Sequence, residues 1–368
     1  MDIAPFRLER YFAKYEFNTE YLLCSSDCEA MSIADLLSLE PGSSEKFHNT
    51  WLGYTESQGH PALRKEIANI YETIQPEEIL VHTGAEEAIY LFMHAVLKKN
   101  DHVIVHTPHY QSLSEVAISI GCETCAWPAR EEHGWALDVN ELKNLIQLNT
   151  KAIILNTPHN PTGYLMSRAD FDSVNQFAQE NNLLLFCDEV YRESEYDPAL
   201  RLPAACDMGE HAVSLGVTSK TYGLAGLRIG WIATKNKKVY QSIAALKDYT
   251  TICNSAPSEL LAEVALRNRQ KLVTRNLGII KNNLEIIDEL FTRHSDLFKW
   301  ARPAAGSMGF PKLLKDNIED FCDKLVRQAG VLLLPGTMYD DAGNHFRIGL
   351  GRKNLPQAVE RLESFLSK

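Results

Sequence analysis

Between residues 78 and 220 one pattern recurs: a short apolar run, often β-branched, followed in several cases by a stretch with helical spacing. The runs are "EILVHTG", "DHVIVHTP", "GCETCAWPA", "TKAIILNTPHNPTG", "NLLLFCDEVY" and "AVSLGVTSK". Strands alternating with helices form βαβ units, which build a mainly parallel sheet covered by helices on both faces. In such sheets ligands bind at the carboxyl ends of the strands, where the connecting loops converge. The polar residues of interest in this chain all fall at those ends.

The pattern changes near Ala256. Long helical text, "SELLAEVALRNRQKLVTRNLGIIKNNLEIIDELF", precedes shorter strand candidates at "GFPKLL", "VLLLPG" and "FRIGLG", and a helix over 355–366 closes the chain. Upstream, residues 61–74 open with proline and space their apolar residues as an amphipathic helix does. At 368 residues the chain exceeds what one ordinary core supports, so a large and a smaller domain are expected. The expected division is 43–254 for the large domain and 1–42 with 255–368 for the small one, the N-terminal segment returning to pack with the C-terminal part.

Several function classes are excluded early. A formal net charge of -11 opposes binding to nucleic acid or anionic membrane, which needs a basic surface. It leaves room for a small anion held by a few local arginines. The opening "MDIAPFRLERYFAKYEF" is charged throughout, unlike a signal peptide, and no apolar run approaches a membrane span of about 20 residues. The eight cysteines are scattered, and the CxxC of Cys122 and Cys125 has no second CxxC at zinc spacing. The expectation is a cytoplasmic protein with reduced thiols and no metal.

The strand ends supply one candidate after another. In "TGAEEA", Gly84 stands where a strand turns into a helix, and the free amides of Gly84, Ala85 and Glu86 would bind an anion; the plainer reading is a turn. In "NTPHNPTG", Pro158 and Pro161 stiffen a loop that holds Asn160 at fixed geometry, with Asn156 serving the turn; the plainer reading is a proline-rich turn carrying nothing. "LLLFCDEVY" ends in Asp188, a carboxylate leaving a buried strand, costly unless a cation meets it. Asp188 either pairs with a protonated ring nitrogen or caps the next helix, and Tyr191 reaches the same place. Finally "VTSKTYGLAGLRIGW" sets Lys220 in a hydroxyl-rich turn eight residues before Arg228. A lysine forms a Schiff base with a carbonyl. Pyridoxal phosphate needs that lysine, a carboxylate for its pyridinium nitrogen, donors to its phenolic oxygen and a phosphate site, and the strand ends offer a group for each.

These motifs, with the K-x-x-G-x-x-G-x-R-x-G spacing from Lys220 to Gly230, resemble the class I/II aminotransferases, the fold-type I pyridoxal-phosphate enzymes. The likeness runs from "GYTESQG" to "FRIGLG". It implies an α/β fold with a mainly parallel seven-stranded sheet between helices and a smaller α+β domain. It implies that Lys220 holds pyridoxal 5'-phosphate as an internal aldimine and moves the proton during transfer. Asp188 then meets the pyridinium nitrogen, while Tyr191 and Asn160 bond the phenolic oxygen. Tyr110 stacks on the ring opposite Val190. The amides of Ala85 and Glu86, with Arg228, take the phosphate. Arg347, in "HFRIGLG", clamps the substrate α-carboxylate beside Asn160. Tyr54, in "LGYTESQG", reaches the phosphate from the other subunit of a homodimer with shared sites; from the sequence alone it reads as an exposed loop aromatic.

The implied activity is transfer of an amino group from an amino acid to a 2-oxo acid. Alternatives on the same fold are a lyase or cyclase working by β-elimination or replacement, and more remotely a non-catalytic ligand-sensing domain. Three departures bear on the choice. Val217 stands where the family has serine or glycine three residues before the lysine, so either Thr218 or Ser219 supplies the hydroxyl or one phosphate contact is absent. "YLLCSSDCEAMS" lacks the glycine-rich substrate loop of aspartate-type members. "KDYTTICNSAPSE" has no arginine for a side-chain carboxylate, which argues against a dicarboxylic donor.

Overall fold

The computed structural model describes residues 3–367; Met1, Asp2 and Lys368, which the expected small domain includes, lie outside them. Its centre is a seven-stranded sheet: β1 (Ile79–His82), β2 (His102–Thr107), β3 (Glu123–Pro128), β4 (Thr150–Asn156), β5 (Leu184–Asp188), β6 (Ala212–Val217) and β7 (Gly230–Ala233). The spatial order is β1-β7-β6-β5-β4-β2-β3. Only β7 runs antiparallel to its neighbours.

Side chains along each strand point alternately to two faces, and both faces are apolar. Leu80, Val103, Val105, Ile154, Phe186 and Ile232 enter one core, packed under helices Gly84–Val96, Ser112–Ile120 and Lys237–Lys247. Their strand neighbours Ile104, Ile153, Leu155 and Leu185 face the opposite core, with Phe171 and Val174 of helix Arg168–Glu180. At the β1 edge, Ile79, Val81 and Trp231 pack on helices Pro61–Ala68 and Ala256–Arg267.

Register determines where the loops meet. Asn156 pairs with Asp188, and Asp188 with Leu215, so the ends of β4, β5 and β6 lie level. Gly230 pairs with both Val217 and His82. The turns after β1 and β6 are thereby held side by side.

Helix Ala256–Arg267, expected in the small domain, stays with the large sheet because its apolar face meets the β1 edge; from Ile280 of helix Arg269–Arg293 onward the chain forms a second, α+β body. Met308–Gly309, Phe346–Gly349 and Leu334–Pro335 make a three-stranded antiparallel sheet, and helices Ile318–Ala329 and Leu355–Leu366 pack with it over a separate core. Tyr21–Leu22 pairs in parallel with Val331–Leu332, tying the N-terminal segment to this body. Helix α1 (Arg7–Tyr15) instead bridges the two bodies: its Leu8 joins the core containing Ile104, Trp127, Leu332 and Tyr339.

Two helices are shorter than their sequence patterns predict. The helix expected over 61–74 ends at Ala68. The amides of Glu72 and Thr73 are taken by the Asp207 carboxylate (3.0 and 2.8 Å), and Tyr71 turns inward to accept from Trp231 Nε1 at 2.7 Å. The helical run after Ala256 breaks at Asn268 into Ala256–Arg267 and Arg269–Arg293. There the Asn268 side chain bonds back to the Val264 carbonyl at 3.0 Å, the local competition with the helix that asparagine favours.

Candidate active site

The strand-end loops open into a cavity of about 390 Å³. Lys220, Asp188, Tyr191, Asn160, Tyr110, Ser219, Arg228 and Arg347 line it, together with Ala85, Glu86, Val190 and Val217. Its floor is the edge of the parallel sheet; its roof is α1 with residues 25–27.

Lys220 follows β6, and its Nζ donates to Ser26 Oγ at 3.0 Å. Burial lowers its pKa, and the nearby charge of Arg347 lowers it further, while Asp27 and Asp188 oppose. A lowered pKa increases the share of neutral amine, the form that attacks a carbonyl.

Asp188 closes β5 and is 5% exposed. Its Oδ1 accepts from the Val190 amide at 3.2 Å, and its main-chain carbonyl accepts from Thr157 N and Asn156 Nδ2. Burial pushes its carboxyl up to about 7, against the pull of the Val190 amide and of Lys220. Among the described residues no cation forms an ion pair with it. Such a carboxylate is prepared for a cation delivered by a ligand.

Arg347, on Phe346–Gly349 of the second body, is 2% exposed. Its Nε donates to the Cys24 carbonyl at 2.8 Å, and Nη1 reaches Asn160 Oδ1 at 3.4 Å and the Tyr339 hydroxyl. Burial opposes its charge, and Tyr339, Cys24 and Tyr191 more than restore it. The Asn160 amide is held by Asn156 Oδ1 at 2.8 Å. Behind it His159 donates from Nε2 to the Pro108 carbonyl (2.8 Å) and accepts at Nδ1 from Thr162 (2.7 Å). Burial lowers its pKa to about 3, so the imidazole is neutral, and with its one N–H donated to a carbonyl the other nitrogen accepts from Thr162.

The anion end is built by close backbone approach. Gly84 has φ +83°, and a Cβ there would come within 2.5 Å of Arg228 Nη2. A Cβ on Gly230 would lie 2.7 Å from Gly84 C and 2.8 Å from Ala85 N. Only glycine at both positions lets Arg228 lie over the N-terminus of helix Gly84–Val96. Arg228 itself is in the left-handed region, φ 53°. Of the two hydroxyls expected to stand in for Val217, that of Ser219 is buried in the cavity wall and unbonded among the described residues. Thr218 is committed elsewhere, donating to the Ile229 carbonyl at 3.0 Å.

The donor set fits pyridoxal phosphate. It combines a lysine of lowered pKa, a buried carboxylate without an ion-pair partner, a glycine cradle beneath an arginine and the unbonded hydroxyls of Ser219 and Tyr191.

Tyr54 is not part of this assembly. It is 90% exposed, beside a separate surface cavity with Leu52 and residues 253–257.

Several wall residues were not anticipated from sequence. Tyr339 donates to Asn160 Oδ1 at 3.1 Å and accepts from Arg347, locking the two together. Ser26 receives the Lys220 bond, and Leu8, Glu9, Phe12, Glu16 and Asp27 form the roof. A sequence signal for the helix existed, since residues 8, 9, 12 and 16 share one face at helical spacing; nothing in it indicated that this face covers the strand ends.

A family model described as aminotransferase class I and II matches residues 22–362. Capreomycidine synthase of Streptomyces vinaceus is 27% identical over 93% of this chain and 88% of its own. The crystal structure of a PLP-dependent aminotransferase from Streptococcus suis 89-1591 superposes with TM-score 0.94 at 32% identity, over 100% of this chain and 98% of that one. A PLP-dependent cyclase, OrfR, superposes with TM-score 0.91 at 27% identity, again over 100% and 98%.

Proposed function

The chain belongs to the class I and II aminotransferases, and on that premise we propose that it is a pyridoxal-phosphate enzyme moving an amino group from an amino acid to a 2-oxo acid. The observation that carries this reading is the single cavity in which Lys220, Asp188 and Arg347 converge.

When bound, pyridoxal phosphate supplies an aldehyde that condenses with amines and a ring that withdraws electrons from the substrate α-carbon. Lys220 would hold it through Nζ and, when free, take the proton from the α-carbon. Asp188 would keep a proton on the ring nitrogen. Tyr191 and Asn160 would donate to the phenolic oxygen, with Tyr110 and Val190 on the two faces of the ring. The amides of Ala85 and Glu86, Ser219 and Arg228 would take the phosphate. Arg347 would grip the α-carboxylate, oriented by Tyr339 and Asn160.

Tyr54 enters this scheme only from a second copy. Its exposure, shared with Trp51, Leu52 and Tyr249 at 82–90%, favours a homodimer in which Tyr54 of the partner subunit completes the phosphate site. Mixing Lys220→Ala with Tyr54→Ala chains should restore activity in the hybrid; no recovery after verified exchange rejects the shared site.

A second reading is favoured by the likeness to capreomycidine synthase and to cyclase OrfR: elimination or cyclisation in the same cavity. One experiment separates the two. Each amino acid is supplied to the purified enzyme with a 2-oxo acid, and products are quantified. Transamination yields a new oxo acid and a new amino acid in equal amounts. Ammonia, or a ring-closed amino acid, in their place would establish the second reading.

A further inference from the structure

We propose that the roof of the cavity selects an amino acid whose side chain carries a positive charge, ammonium or guanidinium, with Glu9 of α1, Glu16 at its C-terminal end and Asp27 as its receptor; this rests on the reading of Lys220, Asp188 and Arg347 as the cofactor and α-carboxylate site.

The argument starts from charge that the rest of the site leaves over. Glu9, Glu16, Asp27 and Glu86 line the cavity in addition to Asp188. The cations lining it are already assigned: Lys220 to the aldehyde, Arg228 to the phosphate and Arg347 to the α-carboxylate. Asp27 is paired with Arg352 at 2.9 and 3.0 Å. Glu86 accepts from Ser112 Oγ at 3.1 Å. Glu9 and Glu16 have no ion pair and no side-chain hydrogen bond among the described residues. Among the described residues Arg352 is the one cation paired with these four carboxylates, and the excess of negative charge repels a substrate carboxylate and attracts a cation.

The crowding is visible in the groups themselves. Burial raises the Glu16 pKa, and Glu9 and Asp27 raise it further. Burial raises Glu86 to about 7, with Glu9 adding to the shift. A cation entering among them relieves both effects at once.

Glu9 is exposed, and Glu16 and Asp27 are half-buried. They share one cavity with the buried, unbonded hydroxyls of Ser219 and Tyr191, so a substrate seated on the cofactor there lies within reach of the roof. They are also held in place. Arg7 pairs with Asp340 at 2.5 Å, its amide donates to Gln111 Oε1 at 3.0 Å, and Gln111 returns a bond to the Pro5 carbonyl at 3.1 Å. With α1 clamped at its start, Leu8 and Phe12 provide the apolar cover, and Glu9 and Glu16 flank them on the same face.

The test is calorimetric titration of the holoenzyme, without oxo acid, with L-arginine, L-lysine, their neutral counterparts L-citrulline and L-norleucine, and L-glutamate. At least one cationic ligand should bind about tenfold or more tightly than its neutral counterpart, and glutamate weakest. Which of arginine and lysine leads tells guanidinium from ammonium. In Glu9→Gln/Glu16→Gln the ratio should fall below about threefold, with L-norleucine affinity within about twofold of wild type. Equal binding of cationic and neutral ligands by the wild type, preference for glutamate, or an unchanged ratio in the double variant overturns the proposal. An enzyme that binds neutral amino acids equally well and converts them to oxo acids refutes the roof assignment alone. One that neither binds nor converts any amino acid refutes the family reading with it.

Discussion

The floor and the roof of the cavity are built on different principles. The floor belongs to a sheet buried on both faces, and the register Asn156–Asp188–Leu215 fixes the relative positions of its loops. The roof is one nine-residue helix and a short loop, attached by a few polar contacts and by Leu8. A buried sheet edge holds side chains to the tolerance that covalent chemistry needs. A docked helix can change its side chains without disturbing that edge. The floor is thus suited to the reaction, and the roof to the choice of substrate.

The sharpest way to break that comparison is at Lys220. Lys220→Ala should cost at least about 10³-fold in turnover, since in the proposed scheme one residue would both hold the cofactor and move the proton. Peptide mapping after borohydride reduction should show the adduct at Lys220 in the wild type. An adduct mapped to another lysine, or turnover retained in Lys220→Ala, would remove the chemistry from the floor.

How well each region could be read from sequence follows the same division. Strand-end residues such as Asp188 and Lys220 stand directly after apolar runs, so the βαβ pattern alone places them on one edge. Arg347, far away in sequence, needed the family resemblance. Ser219 and Thr218 are equivalent in sequence, and what distinguishes them is a tertiary contact, the bond of Thr218 to the Ile229 carbonyl. The roof was not legible. Glu9 and Glu16 sit in an ordinary charged helix, and only its clamp to Asp340 and Gln111, residues more than a hundred positions away, turns that face to the cavity. Tyr339 was missed for a like reason: its bond to Asn160 spans 179 positions.

A second prediction uses pH and concerns the floor alone. In the cofactor-free protein the Asp188 carboxyl is raised from 3.8 to about 7 by burial. The folded state therefore binds this proton more tightly than the unfolded chain does. Its contribution to stability is fully present below the unfolded pKa and is lost as pH rises from about 4 to about 7. At about 1.4 kcal/mol per pKa unit the loss amounts to a few kcal/mol. Glu86, raised to about 7, adds a change of the same sign. Buried histidines with lowered pKas, such as His82 and His159, contribute a slope of opposite sign that both proteins share. Between pH 5 and pH 7 the melting temperature of the cofactor-free wild type should therefore fall by several degrees relative to that of Asp188→Asn, and identical pH profiles in the two proteins would mean that Asp188 carries no such strain.

The smallest effect should come from the roof's anchor. The side chains of Arg7 and Asp340 are 40% and 66% exposed, so their ion pair is worth at most about 1 kcal/mol despite its 2.5 Å separation. Removing it by Arg7→Ala leaves Leu8 in its core and leaves the Arg7 amide still bonded to Gln111. The helix should stay docked but open more often. Amide exchange over residues 7–15 should quicken, and KM should rise by about two- to fivefold because the closed form is populated less. The maximal rate should hold, since no group on the sheet edge has moved. If Arg7→Ala instead lowered kcat as deeply as Lys220→Ala, α1 would be part of the catalytic geometry and the division between a reacting floor and a selecting roof would not stand.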